Sequence, residues 1–249
     1  MRRKYLEIQV LFALKVAEVK QIPRNEALLC YTSIRRHIGI KNWEGIRSNS
    51  LWKKYIQTIQ NLNDPREIVD KTYDFPCEFN PGTDSETDEY FGCFKYTIED
   101  EHTIEVHFRN NEKEGISPLS KERKHIRLKE LKRLFAHVKS KHPEIKYVWA
   151  DTWLCNLDAW NRLFPEEFSH TLNESDEDWY YGGASLWGQF RRYDGTLKED
   201  LVQNFVESIG KAETMDELNN SFPFKTLSGK GSIDWFYDFY DKILNHCTI

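Results

Sequence analysis

The sequence predicts an α/β protein whose mixed sheet is built around a central β–α–β unit, with helices before and after it along the chain. Residues 1–75 place apolar side chains at helical spacing, whereas short segments rich in aromatic and β-branched residues, typical of strands, begin at residue 91. Two such segments, 103–109 and 145–152, enclose a helix-length pattern over 120–141. A crossover of this kind joins parallel strands and is nearly always right-handed.

Three stretches organise the chain in this interpretation: a helical N-terminal segment (1–75), an α/β core (85–195) and C-terminal helices that pack on the core (196–249). The N-terminal helical patterns cover 5–19, then Pro23 to Ile38, then 51–62, and they stop at Asn63-Asp64-Pro65. Residues 74–90 contain prolines and an acidic run, which predicts a solvated loop at the first boundary.

The core is predicted to begin with a hairpin. Its strands are 91–98 and 103–109, and Glu99-Asp100-Glu101 forms an acidic turn between them. Successive side chains of a strand point to opposite faces, so Glu105, His107 and Arg109 share one face of the second strand.

The helix over 120–141 is predicted to start after Ser117-Pro118, and its buried stripe comprises Leu128, Leu131, Leu134, Phe135 and Val138. Ligands of open α/β sheets bind beyond the carboxyl ends of the strands. We therefore expect a site built from the end of strand 103–109, the loop 110–120 and residues 151–156.

The rest of the chain alternates loops with short elements. Asn156 is predicted to cap a short helix that ends at Phe164, and residues 184–191 are predicted to form a strand after an acidic loop at 173–178. Thr196 and Glu199 are predicted to form a capping box for a helix that reaches about Ile209, and Thr214-Met-Asp-Glu217 predicts the start of a shorter helix.

A last helix is predicted over 232–245, and five of the six residues 235–240 are aromatic. A helix that is apolar all round must be buried or must meet a partner. This surface therefore predicts either burial under the N-terminal helices or a homodimer contact through 232–245.

Two arginines extend the buried stripe of helix 120–141 backwards, because Arg127 and Arg123 precede Leu131 by steps of four. A cation gains nothing from the positive end of a helix dipole, so an anion is expected beside them. One interpretation is a phosphate or carboxylate of a small-molecule ligand, held also by backbone N–H groups near Ser117 and Ser120. The other is that the arginines pair with Glu112, Glu114 or the acidic loops.

Charge is segregated along the chain, with net +8 over 1–60, −10 over 61–119, +7 over 120–142 and −10 over 143–249. Segregated charge can form a phosphate-binding face, or the blocks can pair with one another on folding. Nucleic acid is not the expected partner, since the sequence has no ribonucleoprotein, zinc-finger or basic-zipper pattern.

Cysteine and histidine spacing argues against a metal site. The five cysteines include no CxxC pair, and the eight histidines form neither HxH nor HExxH. Dispersed, odd-numbered thiols fit a reducing compartment. Glu7 precedes the N-terminal apolar run and Lys15 interrupts it, which argues against a signal peptide. No apolar stretch is long enough for a membrane span, so a cytoplasmic protein is expected.

The order of the core elements resembles the GNAT superfamily of N-acetyltransferases. The resemblance covers the hairpin, the loop 110–119, the helix 120–141, the strand 145–152 and the segment from Asn156 to Phe164. It implies transfer of an acyl group from acyl-coenzyme A or another phosphorylated donor, although no motif here requires a cofactor. In that reaction Glu105 and His107 would be the base and proton carrier, and Arg109 would orient an acidic substrate. Asn156 and the backbone of Thr152–Leu154, with Trp153 among the binding residues, would line the acyl side.

Three strings are also similar to those of an uncharacterised family of bacterial hypothetical proteins: SPLS-x-x-R from Ser117, WL-x-NLDAW-x-RLFP from Trp153 and SLWGQF from Ser185. This second resemblance spans about 90–245 and implies no activity.

Two other functions remain open at this point. Cys155 follows a strand end at a predicted helix start, so it could act as a nucleophile with His107 in a hydrolase or transferase. Alternatively, the many tryptophan and tyrosine side chains could line a cleft of a non-catalytic protein that binds a ligand or a partner.

Overall fold

The computed structural model describes residues 2–40, 43, 45–76, 89–112, 115–175 and 184–245. The chain forms two compact units, of which unit 1 comprises Met1–Glu86 with Glu177–Pro223 and unit 2 comprises Thr87–Asp176 with Phe224–Ile249. Unit 1 thus takes up a late stretch of the chain, a grouping that the three segments drawn from the sequence do not anticipate.

The helices in chain order are α1 (Arg2–Lys20), α2 (Arg24–Cys30), α3 (Ile34–His37), α4 (Ser50–Ile59), α5 (Pro65–Asp74), α6 (Lys124–Lys141), α7 (Asp158–Asn161), α8 (Glu166–Ser169), α9 (Ala184–Trp187), α10 (Glu199–Lys211), α11 (Met215–Asn220) and α12 (Ile233–Asn245). The strands are β1 (Phe94–Asp100), β2 (Thr103–Phe108), β3 (Tyr147–Thr152), β4 (Asn173–Glu174) and β5 (Leu227–Ser232). The described part of the chain is therefore a mixed α/β protein, as predicted.

Unit 1 is helical, and its core joins the apolar stripes of α1, α4 and α5 to those of α10 and α11. The N-terminal helices are confirmed with two differences. The segment predicted as one helix from Pro23 to Ile38 is divided into α2 and α3. Asn63-Asp64-Pro65 is followed at once by α5, because the Asp64 side chain accepts a hydrogen bond from the Arg66 N–H and Pro65 occupies the first helical turn.

The strand predicted over 184–191 is wrong, because these residues form α9 and a 3₁₀ turn (Gly188–Phe190). Trp187 and Phe190 are fully buried in unit 1, where the rings of Phe12, Phe205 and Phe222 surround them. A short apolar run has the same appearance in a buried helix and in a buried strand, so periodicity cannot distinguish the two.

The two predicted helix starts have different outcomes. The start at Thr214 is confirmed, and α11 has a capping box there, in which the side chains of Thr214 and Glu217 each accept a hydrogen bond from the other residue's backbone N–H. The box of Thr196 and Glu199 is wrong. The Thr196 hydroxyl donates to Asp194 in a turn, and α10 begins only at Glu199.

This difference gives a matched test. Thr214→Ala is expected to lower the free energy of unfolding by about 1 kcal/mol, because it leaves the Glu217 N–H in the first turn of α11 without its side-chain partner. Thr196→Ala, in a motif of the same letters, is expected to cost less than half as much. Urea unfolding of both variants measures the difference, and equal losses would contradict it.

Unit 2 is built on one five-stranded sheet with the order β1-β2-β3-β5-β4. The predicted hairpin is confirmed, since β1 and β2 pair antiparallel, and so is the β–α–β unit, since β2 and β3 pair parallel on either side of α6. The predicted stripe of α6 is buried against the apolar face of this sheet. Strand β5 lies antiparallel between β3 and β4.

Strand β5 has no counterpart in the sequence prediction, because its residues, LSGKGS, contain two glycines and no β-branched side chain. Close packing explains the glycines. A Cβ atom on Gly229 would lie 2.8 Å from the side chains of Leu172 and Thr171, and one on Gly231 would lie 2.9 Å from the Trp235 ring. Strand β4 occupies the start of the predicted loop 173–178, whose remaining residues from Asp176 lie outside the described part.

The aromatic helix α12 is confirmed and its burial is explained within unit 2. The rings of Phe236 and Tyr240 stack on Phe135 of α6, with centroids 4.9 and 5.2 Å away, and the Tyr240 hydroxyl donates to the Leu163 carbonyl. The homodimer contact through 232–245 stays a prediction.

Among the described residues, no helix is both long enough and apolar enough to span a membrane.

Candidate functional site

The face of the sheet opposite α6 carries polar side chains in register. Thr97 pairs with Glu105, Glu105 with Trp149, and Trp149 with Lys230, so these four residues form a row across β1, β2, β3 and β5. Their neighbours Ile104, Val106, Val148 and Ala150 are buried and belong to the other face. The row defines the polar face of the sheet, on which the predicted residues Glu105 and His107 lie.

Strands β2 and β3 diverge immediately after this row. Their ladder contains three residue pairs and ends at Glu105 with Trp149. Beyond that point Val106 to Phe108 continue pairing with β1, and Ala150 to Thr152 continue pairing with β5. The parallel ladder therefore ends towards the carboxyl ends of the two strands, the position where ligands of α/β sheets bind. We call this end of the ladder the fork.

Glu105 and His107 lie together at the fork. The His107 Nε2 atom is 3.4 Å from Glu105 Oε2 and 2.7 Å from Thr97 Oγ1. The Thr97 hydroxyl in turn donates to Glu99 Oε1 at 2.6 Å. Four side chains from the two strands of the hairpin thus form one connected group, the hairpin cluster, made of Thr97, Glu99, Glu105 and His107.

Burial raises the pKa of Glu105 to about 8, and the nearby carboxylates of Glu99 and Asp151 contribute to the rise. The Glu105 side chain is 19% exposed, so its charged form is poorly solvated. Near neutral pH this carboxyl group can therefore both hold and release a proton, as a general base must.

The sequence identified half of the hairpin cluster. Alternation along β2 predicts that Glu105 and His107 share one face, but it does not identify Thr97, and Glu99 falls in the predicted turn. Counting outwards from the predicted strand ends would pair Thr97 with Ile104, because the sequence gives no sign of the register shift between Ile98 and Asp100. Arg109, the third predicted residue, lies just past the end of β2 and is exposed, with its guanidinium 5.9 Å from the ring centroid of Tyr90.

The two arginines predicted to bind an anion contact carboxylates of the protein itself. Arg127 is 3% exposed, and its guanidinium lies 2.5 Å from Glu112 and 3.2 Å from Glu130 while also donating to the Cys93 sulfur. Arg123 is 28% exposed and lies 3.8 Å from Glu112. The sequence left two interpretations open, and this arrangement corresponds to the second, in which the arginines pair with Glu112. Glu114 lies outside the described residues.

Ser117 and Ser120 form a turn before α6, in which the Ser120 N–H donates to the Ser117 carbonyl at 3.2 Å. Arg162 joins this turn to the segment after β3 by donating to the Leu119 carbonyl at 2.6 Å. A 3₁₀ turn (Lys121–Arg123) separates the turn from α6. The predicted anion-binding loop therefore lies at the amino end of the helix, as expected.

The residues after β3 also differ from their predicted roles. Asn156 does not cap a helix: it ends a 3₁₀ turn (Trp153–Asn156), and its amide donates to the carbonyls of Trp153 and Lys225. Leu157 instead precedes α7. The Trp153 ring stacks on Phe224, with ring centroids 5.9 Å apart.

Cys155 has the environment of a structural thiol. It is 2% exposed, and burial raises its pKa to about 12, so the nucleophilic thiolate is disfavoured. These properties favour the role of a packed apolar side chain, which is the commoner one for a buried cysteine.

The hairpin cluster also contains atoms of the kind that bind metals. Side-chain ligand atoms of Glu99, Glu105 and His107 lie within 4.8 Å of one another. The spacing rules that led us to expect no metal site detect ligands that are close in sequence, and these three come from two strands. However, the Thr97 hydroxyl already forms hydrogen bonds with both His107 Nε2 and Glu99, so a cation would have to break these bonds.

Comparison of the chain with models of protein families, with curated proteins and with solved structures found no match. The fold and the site by themselves define a class: a mixed α/β protein with a cluster of ionisable groups where the parallel strands β2 and β3 stop pairing.

Proposed function

We propose that this protein is an acyltransferase, which moves an acyl group from a thioester donor to an amine. The observation that carries the proposal is the position of Glu105 and His107 at the point where β2 and β3 diverge. A carboxyl group with a pKa raised to about 8 thereby lies where the parallel ladder ends, which is the position proposed for the substrate.

In the proposed reaction, the amine nitrogen of the acceptor attacks the thioester carbonyl carbon. The carbon–sulfur bond then breaks, the sulfur leaves as a thiolate, and the proton of the amine passes to the Glu105–His107 pair. Glu105 is suited to this because its pKa of about 8 lies close to the working pH. A backbone N–H group that donates a hydrogen bond to the thioester oxygen would stabilise the negative charge that develops there.

The fork supports an extended donor with amide groups along its length, as in the arm of acyl-coenzyme A. Strand edges bind extended chains through backbone hydrogen bonds, and the proposed donor lies along β2 and β3 beyond Glu105 and Trp149, where their parallel ladder ends. For the anionic end of the donor, Arg123 is the better candidate of the two arginines. It is partly exposed and its pair with Glu112 is long, whereas Arg127 is buried in its own ion pairs.

The order of elements gives further support. The chain contains, in order, a hairpin, a helix that crosses over to a parallel strand, and a turn that ends in Asn156. The resemblance to the N-acetyltransferase superfamily rests on the same order of elements. The donor, the acceptor and the assignment to that superfamily all belong to the proposal.

The test is turnover of a panel of acyl-coenzyme A thioesters with primary amines, followed by release of the free thiol. Glu105→Gln is expected to lower kcat/KM about 100-fold at pH 7 because the base is lost. For the native protein, kcat/KM should rise with pH until about pH 8, as Glu105 ionises. Glu166→Gln, at an exposed carboxylate of α8, is the matched control and should leave turnover unchanged.

Two results would overturn the proposal. If no thioester is consumed and neither coenzyme A nor its thioesters raise the melting temperature, the fork does not bind this donor. If they raise it equally in the native protein and in Glu105→Gln, without thiol release, the protein is a binding module of the kind that the sequence left open.

A further inference from the structure

The hydrogen bonds of the hairpin cluster define which nitrogen of His107 carries a proton. Thr97 Oγ1 lies 2.6 Å from Glu99 Oε1 and 2.7 Å from His107 Nε2, so one hydroxyl connects a carboxylate to an imidazole. A hydroxyl has a single hydrogen to donate, whereas its oxygen has two lone pairs that accept.

The proton count follows from these capacities. A carboxylate only accepts, so the Thr97 hydrogen points to Glu99. Thr97 can then meet His107 only as an acceptor, which requires a hydrogen on Nε2. Glu105 Oε2 lies 3.4 Å from the same nitrogen, and once Glu105 is ionised this carboxylate oxygen also accepts from an N–H there.

We propose that Thr97 and Glu99 are positioning residues that hold neutral His107 with its proton on Nε2, so that Nδ1 is the nitrogen able to accept a proton. The effect of this tautomer on turnover rests on the proposed function, in which His107 carries the proton of the amine. The tautomer itself is a property of the protein alone.

The backbone supplies the geometry for this arrangement. Thr97 pairs with Glu105 across the hairpin, and the register shifts between Ile98 and Asp100, so Glu99 is the extra residue of a bulge. Bulges alter the direction of a side chain at the end of a paired segment. Here the bulge leaves the Glu99 carboxylate within reach of the Thr97 hydroxyl.

A divalent cation is the competing occupant of the same group, and it demands the opposite tautomer. Glu99, Glu105 and His107 would bind it, with Nε2 as the ring nitrogen near the Glu105 carboxyl group, and a nitrogen bound to a metal must offer a lone pair. A metal-binding His107 would therefore carry its proton on Nδ1. The position of one proton distinguishes the two states.

The experiment is a proton–nitrogen correlation spectrum of the protein labelled with ¹⁵N-histidine. It is recorded at about pH 9, where an ordinary imidazole is neutral. His107→Gln assigns the signals by their disappearance. We expect a single Nε2–H form in the native protein and in Thr97→Ser, which keeps the hydroxyl, and a mixture of both tautomers in Thr97→Val, which removes it.

An Nδ1–H pattern in the native protein would overturn the proposal, as would a pattern unchanged in Thr97→Val. A shift of the His107 Nε2 signal on addition of equimolar Zn²⁺ would replace it with a metal site. In the acyl-transfer assay, Thr97→Val should lower kcat about tenfold with little change in KM, and Thr97→Ser should restore it. Because the spectrum needs no substrate, failure of the proposed function leaves the tautomer result standing, and the reverse also holds.

Discussion

Glu105→Gln is expected to make unit 2 more stable than the native protein at about pH 9, by on the order of 4 kcal/mol, while leaving its stability at about pH 4 nearly unchanged. Folding raises the pKa of Glu105 from 4.5 to about 8. Between these values the folded state keeps a proton that the unfolded state releases, so the free energy of unfolding falls as pH rises through this window. Glutamine has the shape of the protonated acid and no proton to lose.

Urea unfolding at several pH values measures this effect, with hydrogen exchange of peptides from β2 and β3 to follow unit 2 by itself. Glu166→Gln is the control, since its carboxylate is exposed, and its difference from the native protein should not change with pH. Equal slopes of stability against pH for Glu105→Gln and the native protein would show that Glu105 ionises normally, and they would remove the main support for its role as a base.

The same burial therefore has opposite consequences for stability and for chemistry. A carboxylate at the fork is costly above pH 8, and the neighbouring carboxylates of Glu99 and Asp151 increase that cost. Groups with such strongly shifted pKa values concentrate at functional sites. This link makes the stability measurement informative even before a substrate is found.

Periodicity was sufficient to predict the elements that position the site. Aromatic and β-branched residues predicted β1, alternation predicted the two faces of β2, and helical spacing predicted the buried stripe of α6 from Leu128 to Val138. Because β2 and α6 are amphipathic, the sequence shows their buried faces as a repeating pattern. The β–α–β unit followed from their order.

The remaining errors have a common physical origin in long-range packing. Strand β5 contains two glycines because Leu172, Thr171 and Trp235 leave no room there for a Cβ atom. Those neighbours contact the strand only in the folded chain. Similarly, residues 184–191 are helical because of the rings that surround Trp187 in unit 1. Local propensity contains neither fact.

The candidate site shows the same limit. The partnership of Thr97 with His107 depends on strand register and on the bulge at Glu99, and neither leaves a recognisable spacing in the sequence. For Arg127, helical spacing correctly placed the side chain on the buried stripe, but it could not decide whether the anion beside it was a ligand or Glu112.

Arg127→Met is expected to lower the free energy of unfolding of unit 2 by about 3–5 kcal/mol. The arginine is 3% exposed and pairs with Glu112 and Glu130, whose side chains are each 13% exposed. Removing it leaves two poorly solvated carboxylates facing each other. Burial already raises the pKa of Glu130, and loss of the adjacent guanidinium should raise it further.

Two matched variants separate this buried network from a ligand site, with urea unfolding as the measurement. Arg123→Met should cost at most about 1 kcal/mol, because its pair with Glu112 is long and partly exposed. Adding Glu112→Gln and Glu130→Gln to Arg127→Met should recover most of the lost stability, since no charge is then left unpaired. A small loss of stability in Arg127→Met alone would contradict the buried network. It would favour the other interpretation of the sequence, in which Arg127 binds an external anion, and Arg127 would then be a candidate donor-binding residue beside Arg123.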